Sequence, residues 1–331
     1  MSWTTIWSHG QRGIASYNTS NGENRLMFRR IAPVKMLRFV FANDYGRQPE
    51  TIQSFSVLVN EDVQRLAAFS VAPGERVKTP PVSIDPTARK WLIEFETTKG
   101  SSGFPTVDAD VLAETNAPAF CAGLLAIEAE VPGTCVVALG DSLTEGATWT
   151  TPLQRTLRQQ NIFLVNQGIN GSCLLKAASD RPAKDSAELF YGFAALQRLR
   201  ICLASHLNVS KVILSLGIND LIHGELTLET FQQSIHELIE VCKEEKIAYQ
   251  LCTLTPCLGY PGMDQAKEAV RRDINHWLLT HYDNVWDFSS MVEQAPGQLN
   301  PAYDSGDHLH INAIAGLAIA RQISSDFVKG E

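Results

Sequence analysis

The apolar residues of this chain change their spacing once, near Thr134, and that change divides what the chain can fold into. Upstream they form short runs closed by turn residues. Leu37–Phe41 runs into Asn43-Asp44-Tyr45-Gly46, Ser54–Val59 into Asn60-Glu61-Asp62, Leu66–Val71 into Pro73-Gly74, and Trp91–Glu96 into Lys99-Gly100. Period-two patterning interrupted at roughly ten- to fifteen-residue intervals predicts antiparallel strands, and so a sandwich or jelly roll. No long helical period precedes about residue 115. The stretch from Glu114 to Gly133, Ala-rich and carrying Pro118, Pro132 and Gly133, reads as a crossover between the halves.

Downstream, the short apolar runs Cys135–Leu139, Ile162–Val165, Val212–Leu216, Tyr249–Leu254 and Asn284–Phe288 alternate with amphipathic stretches. That alternation predicts βαβ units and a parallel sheet. One helix carries Leu228, Phe231, Ile235, Leu238, Ile239 and Cys242 at i, i+3/i+4 spacing. Another spans Gln265–His281 with Val270, Ile274, Trp277 and Leu278 on one face, and a last one after Asn312 carries Ile314, Leu317, Ile319 and Ile323. A length of 331 residues suits two domains. The expected organisation is an N-terminal β-sandwich over 1–130 and a three-layer α/β/α domain with a five-stranded parallel sheet over 131–331.

Composition removes several function classes. With 44% hydrophobic and 19% charged residues, the chain can bury a sizeable core. A net charge of -8 argues against nucleic-acid binding, which draws on Lys and Arg at phosphates. No run approaches the roughly 18 apolar residues that a membrane span needs. The start, Met1 to Trp7, has neither a basic nor an apolar signal region, so a cytoplasmic location is expected. The seven cysteines contain no C-x-x-C pair and mostly sit in apolar runs, as free buried thiols do. Cys173, beside a glycine loop, is read as structural before reactive. No Cys/His cluster has metal-ligand spacing, and no cofactor or metal is expected.

Three polar or glycine-rich motifs directly follow the first three strand candidates of the second half. They are Gly140-Asp141-Ser142-Leu143, Gly168-Ile169-Asn170-Gly171-Ser172 and Gly217-Ile218-Asn219-Asp220. The carboxyl ends of strands in an open parallel sheet share one edge, where ligands bind. The three segments should therefore converge. A fourth motif, Asp307-His308-Leu309-His310, follows the fifth strand candidate. Asp307 and His310, three apart, can face one way within a single turn, whereas the adjacent Asp307 and His308 diverge. His310 is thus the better base for a serine nucleophile, with Asp307 as its orienting acid.

The ordered set GDS, GINGS, GIND and DHLH resembles the SGNH (GDSL) hydrolase family across roughly residues 134–331. Thr253-Leu254-Thr255-Pro256, the span Arg271 to Trp277 and Tyr303-Asp304-Ser305-Gly306 also resemble one branch of it, in which an extra β-rich domain comes first. The resemblance implies a flavodoxin-like α/β/α domain preceded by a jelly-roll-like β-domain. It implies Ser142 as nucleophile, His310 as base and Asp307 as orienting acid. The oxyanion would be held by the backbone N–H groups of Ser142 and Gly171 and by the side-chain amide of Asn219. The residue types suit these roles, since Gly171 lets backbone approach the substrate and Asn219 offers a neutral donor to developing charge. The family commonly has proline after the histidine; here Ile311 stands there, at a place that shapes the loop and carries no chemistry.

Plainer roles compete for several of these residues. Ser142-Leu143-Thr144-Glu145 also fits a capping box, with Ser142 starting a helix. Gly168 and Gly171 could be ordinary turn glycines, while Asp141 and Asp220 read as loop-bracing carboxylates. His308 is expected to face solvent. His9, His206, His223, His236, His276 and His281 are expected at the surface or satisfied in the core. Trp149 could line an acyl or leaving-group pocket, or pack in the core. The expected activity is hydrolysis of small acyl esters, carbohydrate-borne ones among them, through an acyl-enzyme, with no nucleic acid or membrane as partner and no oligomeric state implied. The competing readings are a lysophospholipase or lipase acting on longer chains, an acyltransferase, and a non-catalytic glycan-binding protein with an inactive hydrolase domain.

Overall fold

Period-two patterning becomes antiparallel sheet throughout the first of two units in the computed structural model, which describes residues 2–14, 22–98, 102–105, 111–112, 120–175, 189–224 and 226–328. This unit comprises Met1–Cys135 with Ala178–Gly192 and Ser205–Asn208, and the other comprises Val136–Ala177, Phe193–Ala204 and Val209–Glu331.

In the first unit, one sheet runs in the order Trp3–Ser8, Leu124–Glu130, Met36–Ala42, Arg76–Lys78, with Val82–Ser83 also on Met36–Ala42. A second runs Val111–Leu112, Glu23–Arg29, Lys90–Thr97, Glu50–Val59, Asp62–Arg65, with Phe69–Val71 also on Glu50–Val59. A small third sheet joins Phe120–Ala122, Ser102–Pro105 and Arg12–Gly13. Strand Lys90–Thr97 shows why its residues extend: Trp91, Ile93 and Phe95 are buried while Lys90 and Glu96 are exposed. The inner faces of the two larger sheets meet through aromatic rings, as a sandwich requires. Phe39 and Phe41 lie 5.2 and 5.5 Å from Phe55, Phe41 lies 5.2 Å from Phe95, and Trp7 lies 4.9 Å from Phe28.

The crossover expected over Glu114–Gly133 is corrected. Residues 114–119 lie outside the described residues, but Phe120–Ala122 and Leu124–Glu130 are strands, and the latter is central in its sheet. Leu124 through Ala129 are buried without alternation, so no period-two signal survives. Glu128 is the one charged residue in that buried run. Its fully buried carboxylate meets Arg38 directly across the strand pair at 2.5 Å and Lys78 at 2.9 Å, and a buried charge so paired does not have to bear its full desolvation cost.

The second unit carries a five-stranded sheet in the order Ile162–Gly168, Thr134–Gly140, Val209–Ser215, Ala248–Cys252, Val285–Trp286. Written in chain order this is 2-1-3-4-5, the doubly wound arrangement whose ligand edge lies at the carboxyl ends of the strands. Its helices are α1 (Ser142–Glu145), α2 (Thr150–Leu157), α3 (Ala195–Ser205), α4 (Ile218–His223), α5 (Leu228–Glu244), α6 (Gln265–His281), α7 (Phe288–Val292) and α8 (Ala313–Val328). Thr227 caps α5 in a reciprocal capping box with Thr230, and the helix buries Phe231, Ile235, Leu238, Ile239 and Cys242. Asp264 caps α6 by accepting from Lys267 N. On α8 the buried stripe is Ala315, Ile319 and Ile323, while Ile314 and Leu317 are exposed. The apolar letters there outnumber the positions that face inward. None of the described helices is long and apolar enough to cross a membrane.

Candidate functional site

Strand Thr134–Gly140 ends in a sharp turn into α1, and Asp141 starts that helix. The Asp141 carboxylate accepts a hydrogen bond from Leu143 N at 3.0 Å. Ser142 is therefore the first helical residue and not the cap expected from the capping-box reading, which leaves its hydroxyl available elsewhere. That hydroxyl lies 2.8 Å from His310 Nε2. Burial pushes the Asp141 carboxyl up to about 7, with the Leu143 N–H and the neighbouring His310 and Arg198 opposing.

The turn from Asp304 to Asn312 supplies the rest. His310 Nδ1 lies 2.6 Å from Asp307 Oδ2. The other oxygen, Asp307 Oδ1, accepts the backbone N–H groups of Leu309 at 3.0 Å and His310 at 2.8 Å, so the carboxylate shapes the turn it belongs to. Partial burial raises the Asp307 carboxyl, but the His310 ring and these two N–H donors outweigh it and bring it to about 2. A charged carboxylate can only accept, so the Nδ1 proton is held against Asp307 and the neutral ring presents its Nε2 lone pair to the serine O–H. Hydroxyl, imidazole and carboxylate thus stand in line, an order that can take a proton off Ser142 Oγ. His308 is 60% exposed, adopts a positive φ of 66° and pairs through Nδ1 with Asp304 at 2.8 Å, outside this line.

The loop after strand Ile162–Gly168 is packed hard against α1. A Cβ on Gly168 would sit 2.1 Å from Glu145 N, so only glycine lets the two segments touch. Gly171 adopts a φ of 74°, the left-handed region, in a turn closed by Ser172 N donating to Ile169 O at 3.0 Å. Glu145 Oε2 accepts Asn170 N at 2.9 Å from the other side. Gly217, with a φ of 119°, leads into α4, where Asn219 and Asp220 are buried. Asn219 Nδ2 donates to Ser172 O at 3.0 Å, which engages one amide N–H and fixes the plane in which the second points. Asp220 accepts the backbone N–H groups of Leu174 at 2.7 Å and Leu175 at 2.9 Å, bracing the same loop.

Several predicted side roles resolve as packing. Trp149 is 1% exposed, donates Nε1–H to Leu143 O at 3.1 Å and stacks edge-on to Phe288. It holds α1 in place from the core. Cys173 is half-buried, with Sγ 3.7 Å from Gly171 O. The expectation for His9 is corrected: it is fully buried, stacked on Phe104 at 5.2 Å, and its Nε2 has no hydrogen-bond partner among the described residues. Burial lowers its pKa to about 4.

Sequence reasoning missed Arg198 and Asn166. Arg198, on α3, is 4% exposed and donates to Gly140 O, Ser172 Oγ and Gln167 O. Asn166 Nδ2 donates to Thr144 O at 2.9 Å while its Oδ1 accepts Gly168 N at 2.9 Å. A signal existed for the arginine. It occupies the same helical stripe as the buried Ala195, Leu199 and Cys202, where a charge needs partners.

A family model described as GDSL-like lipase/acylhydrolase matches residues 138–315, more than half of the chain. No curated protein sequence matches. Among solved structures, the chain is similar to a GDSL-like lipase from Bacteroides thetaiotaomicron VPI-5482, with 19% identity, 60% of this chain and 89% of that one covered, and a TM-score of 0.45. It is also similar to a carbohydrate acetylesterase family member from Sinorhizobium meliloti, with 20% identity, 59% and 97% covered, and a TM-score of 0.42. A third is a psychrotrophic esterase from Pseudoalteromonas sp., with 18% identity, 59% and 97% covered, and a TM-score of 0.44.

Proposed function

Because the chain belongs to the GDSL-like lipase/acylhydrolase family, we propose that it is a serine ester hydrolase in which Ser142 is the nucleophile, His310 the base and Asp307 the acid that orients His310. The observation that carries this is the continuous line from Ser142 Oγ through His310, 2.8 Å and then 2.6 Å, to Asp307. Ser142 Oγ attacks the ester carbonyl carbon as its proton passes to His310 Nε2. The backbone N–H groups of Ser142 and Gly171 and the amide of Asn219 hold the resulting oxyanion. One such donor typically contributes about 3 kcal/mol to lowering the barrier. The carbon–oxygen bond to the alcohol breaks as His310 returns the proton to the leaving oxygen. Water then attacks the acyl-serine, gives its proton to His310, and the acid leaves with Ser142 restored.

The substrate in this reading is a small acyl ester. Beside the triad, Asp141, Leu143, Trp149, Leu254 and Ile311 enclose only about 10 Å³, so no acyl chain runs inward between these side chains. Two larger grooves among the described residues, about 800 Å³ between α3 and α5 and about 510 Å³ on the outer face of the Glu23–Arg29 sheet, are likewise lined by none of Ser142, Gly171, Asn219, Asp307 and His310.

Labelling with a fluorophosphonate probe tests the chemistry. The wild type should label and Ser142→Ala should not; an unlabelled wild type would favour a non-catalytic binding protein. Hydrolysis of p-nitrophenyl acetate against the octanoate tests the substrate. Strong preference for the octanoate would replace this reading with a lipase.

A further inference from the structure

Helix α3 buries an arginine on its inward face. A guanidinium away from water costs several kcal/mol unless its N–H groups find acceptors, and three acceptors of Arg198 among the described residues lie at one place. Its Nη1 donates to Gly140 O at 2.9 Å and to Ser172 Oγ at 2.6 Å, and its Nη2 donates to Gln167 O. Each acceptor sits beside a working segment of the proposed site. Gly140 is two residues before Ser142, Gln167 immediately precedes Gly168, and Ser172 immediately follows Gly171. The carbonyl of Ser172 is held in turn by Asn219.

We infer that Arg198 is a positioning residue that locks the loop carrying Gly171 to the turn carrying Ser142, so that their backbone N–H groups and the Asn219 amide converge on one oxygen. The inference rests on the serine-hydrolase reading and adds a residue to that same site. Two loops from different strands have no covalent reason to keep their peptide N–H groups aligned, and a shift of about 1 Å in such a constellation is enough to cost a hundredfold in rate. A planar fork fixes both separation and angle between its acceptors. Lysine at this position would bring the charge without the fork.

Arg198→Ala, Arg198→Lys and Ser172→Ala should be compared with the wild type on p-nitrophenyl acetate, with active sites counted by fluorophosphonate labelling. Arg198→Ala should lower kcat by about thirtyfold or more while KM stays within about threefold, because the donors act on the transition state. Millimolar guanidinium should restore part of that kcat, and Arg198→Lys should fall between. Ser172→Ala leaves the guanidinium in place and removes one acceptor. It should lose a smaller factor in kcat at unchanged KM, and it keeps the test open where Arg198→Ala does not fold. An active wild type whose variants lose thermal stability but keep kcat per labelled site would overturn the positioning role alone. A wild type that neither hydrolyses nor labels would overturn the hydrolase reading and this inference with it.

Discussion

His310 Nε2 lies 2.8 Å from Ser142 Oγ although 168 positions separate the two residues. What brings the ring there is local: Asp307 uses one oxygen on the imidazole and the other on the backbone of its own turn. The two jobs can be separated by substitution.

Asp307→Asn keeps an acceptor for the backbone N–H groups but no longer stabilises the tautomer with its proton on Nδ1. The expected loss in kcat is on the order of a thousandfold or more, with the melting temperature little changed. Asp307→Ala should lose activity and also loosen the turn. Steady-state kinetics with thermal melts of both variants checks this, and an Asn variant within tenfold of wild type would refute it.

Asp141 makes the stability of the second unit depend on pH in an unusual direction. Its folded pKa, about 7, lies above the ordinary 3.8. Between those values the folded protein holds a proton that the unfolded chain has released, so this group's contribution falls as pH rises from about 4 to 7 and levels off above. Asp141→Asn, which caps a helix as well as aspartate does, should flatten that slope and stabilise the protein at pH 8 by a few kcal/mol. Urea unfolding at pH 5 and pH 8 decides it: equal pH differences in both proteins would refute the assignment.

His9 works the opposite way in the first unit. With its folded pKa lowered from 6.5 to about 4 by burial, the unfolded chain binds the extra proton as pH drops below 6.5, and stability declines toward pH 4. The full effect is about 3 kcal/mol. His9→Phe, which can keep the stacking on Phe104, should lose less stability between pH 7 and pH 4.5 than the wild type. An unchanged acid profile would show that His9 is not the responsive group.

Gly168→Ala places a methyl 2.1 Å from Glu145 N and 2.7 Å from its Cα, both backbone atoms. Neither can swing aside, so α1 or the following loop must move. A destabilisation of at least about 2 kcal/mol is expected, together with reduced hydrolysis, because both segments carry proposed oxyanion donors. A denaturation midpoint equal to wild type would contradict the contact.

The loops were the legible part of this molecule. Ser142, Gly171 and Asn219 lie just past apolar runs, where polar or glycine residues stand out against their surroundings, and Asp307 and His310 were legible from their three-residue spacing before the last helix. The five parallel strands were legible for the same reason, and α6 matched its expected bounds of Gln265–His281. Residues whose surroundings invert their usual meaning were hidden. Leu124–Glu130 lost its alternation because both of its faces are covered, and Glu128 disguised it further as a polar interruption. Of the two arginines in Leu196-Gln197-Arg198-Leu199-Arg200, Arg198 is the buried one and Arg200 is not, and residue type alone does not separate them. Ser142 resembled a helix cap, since sequence shows which residues can cap but not which one the chain's turn selects. Asp141, one position earlier, took the part.

Strand Trp3–Ser8 pairs with Leu124–Glu130 and, among the described residues, with no other strand. On the ribosome, Trp3–Ser8 must therefore wait for Leu124–Glu130 to be made. The intervening chain can pair its own hairpins, but the sheet that seats Trp7 cannot close until residue 130 has emerged. A contact of such long range is entropically expensive to form early. Final assembly of the β unit should accordingly be its slow step during synthesis, and fragments ending before residue 124 should leave Ile6 and Trp7 uncovered for chaperones or proteases to find.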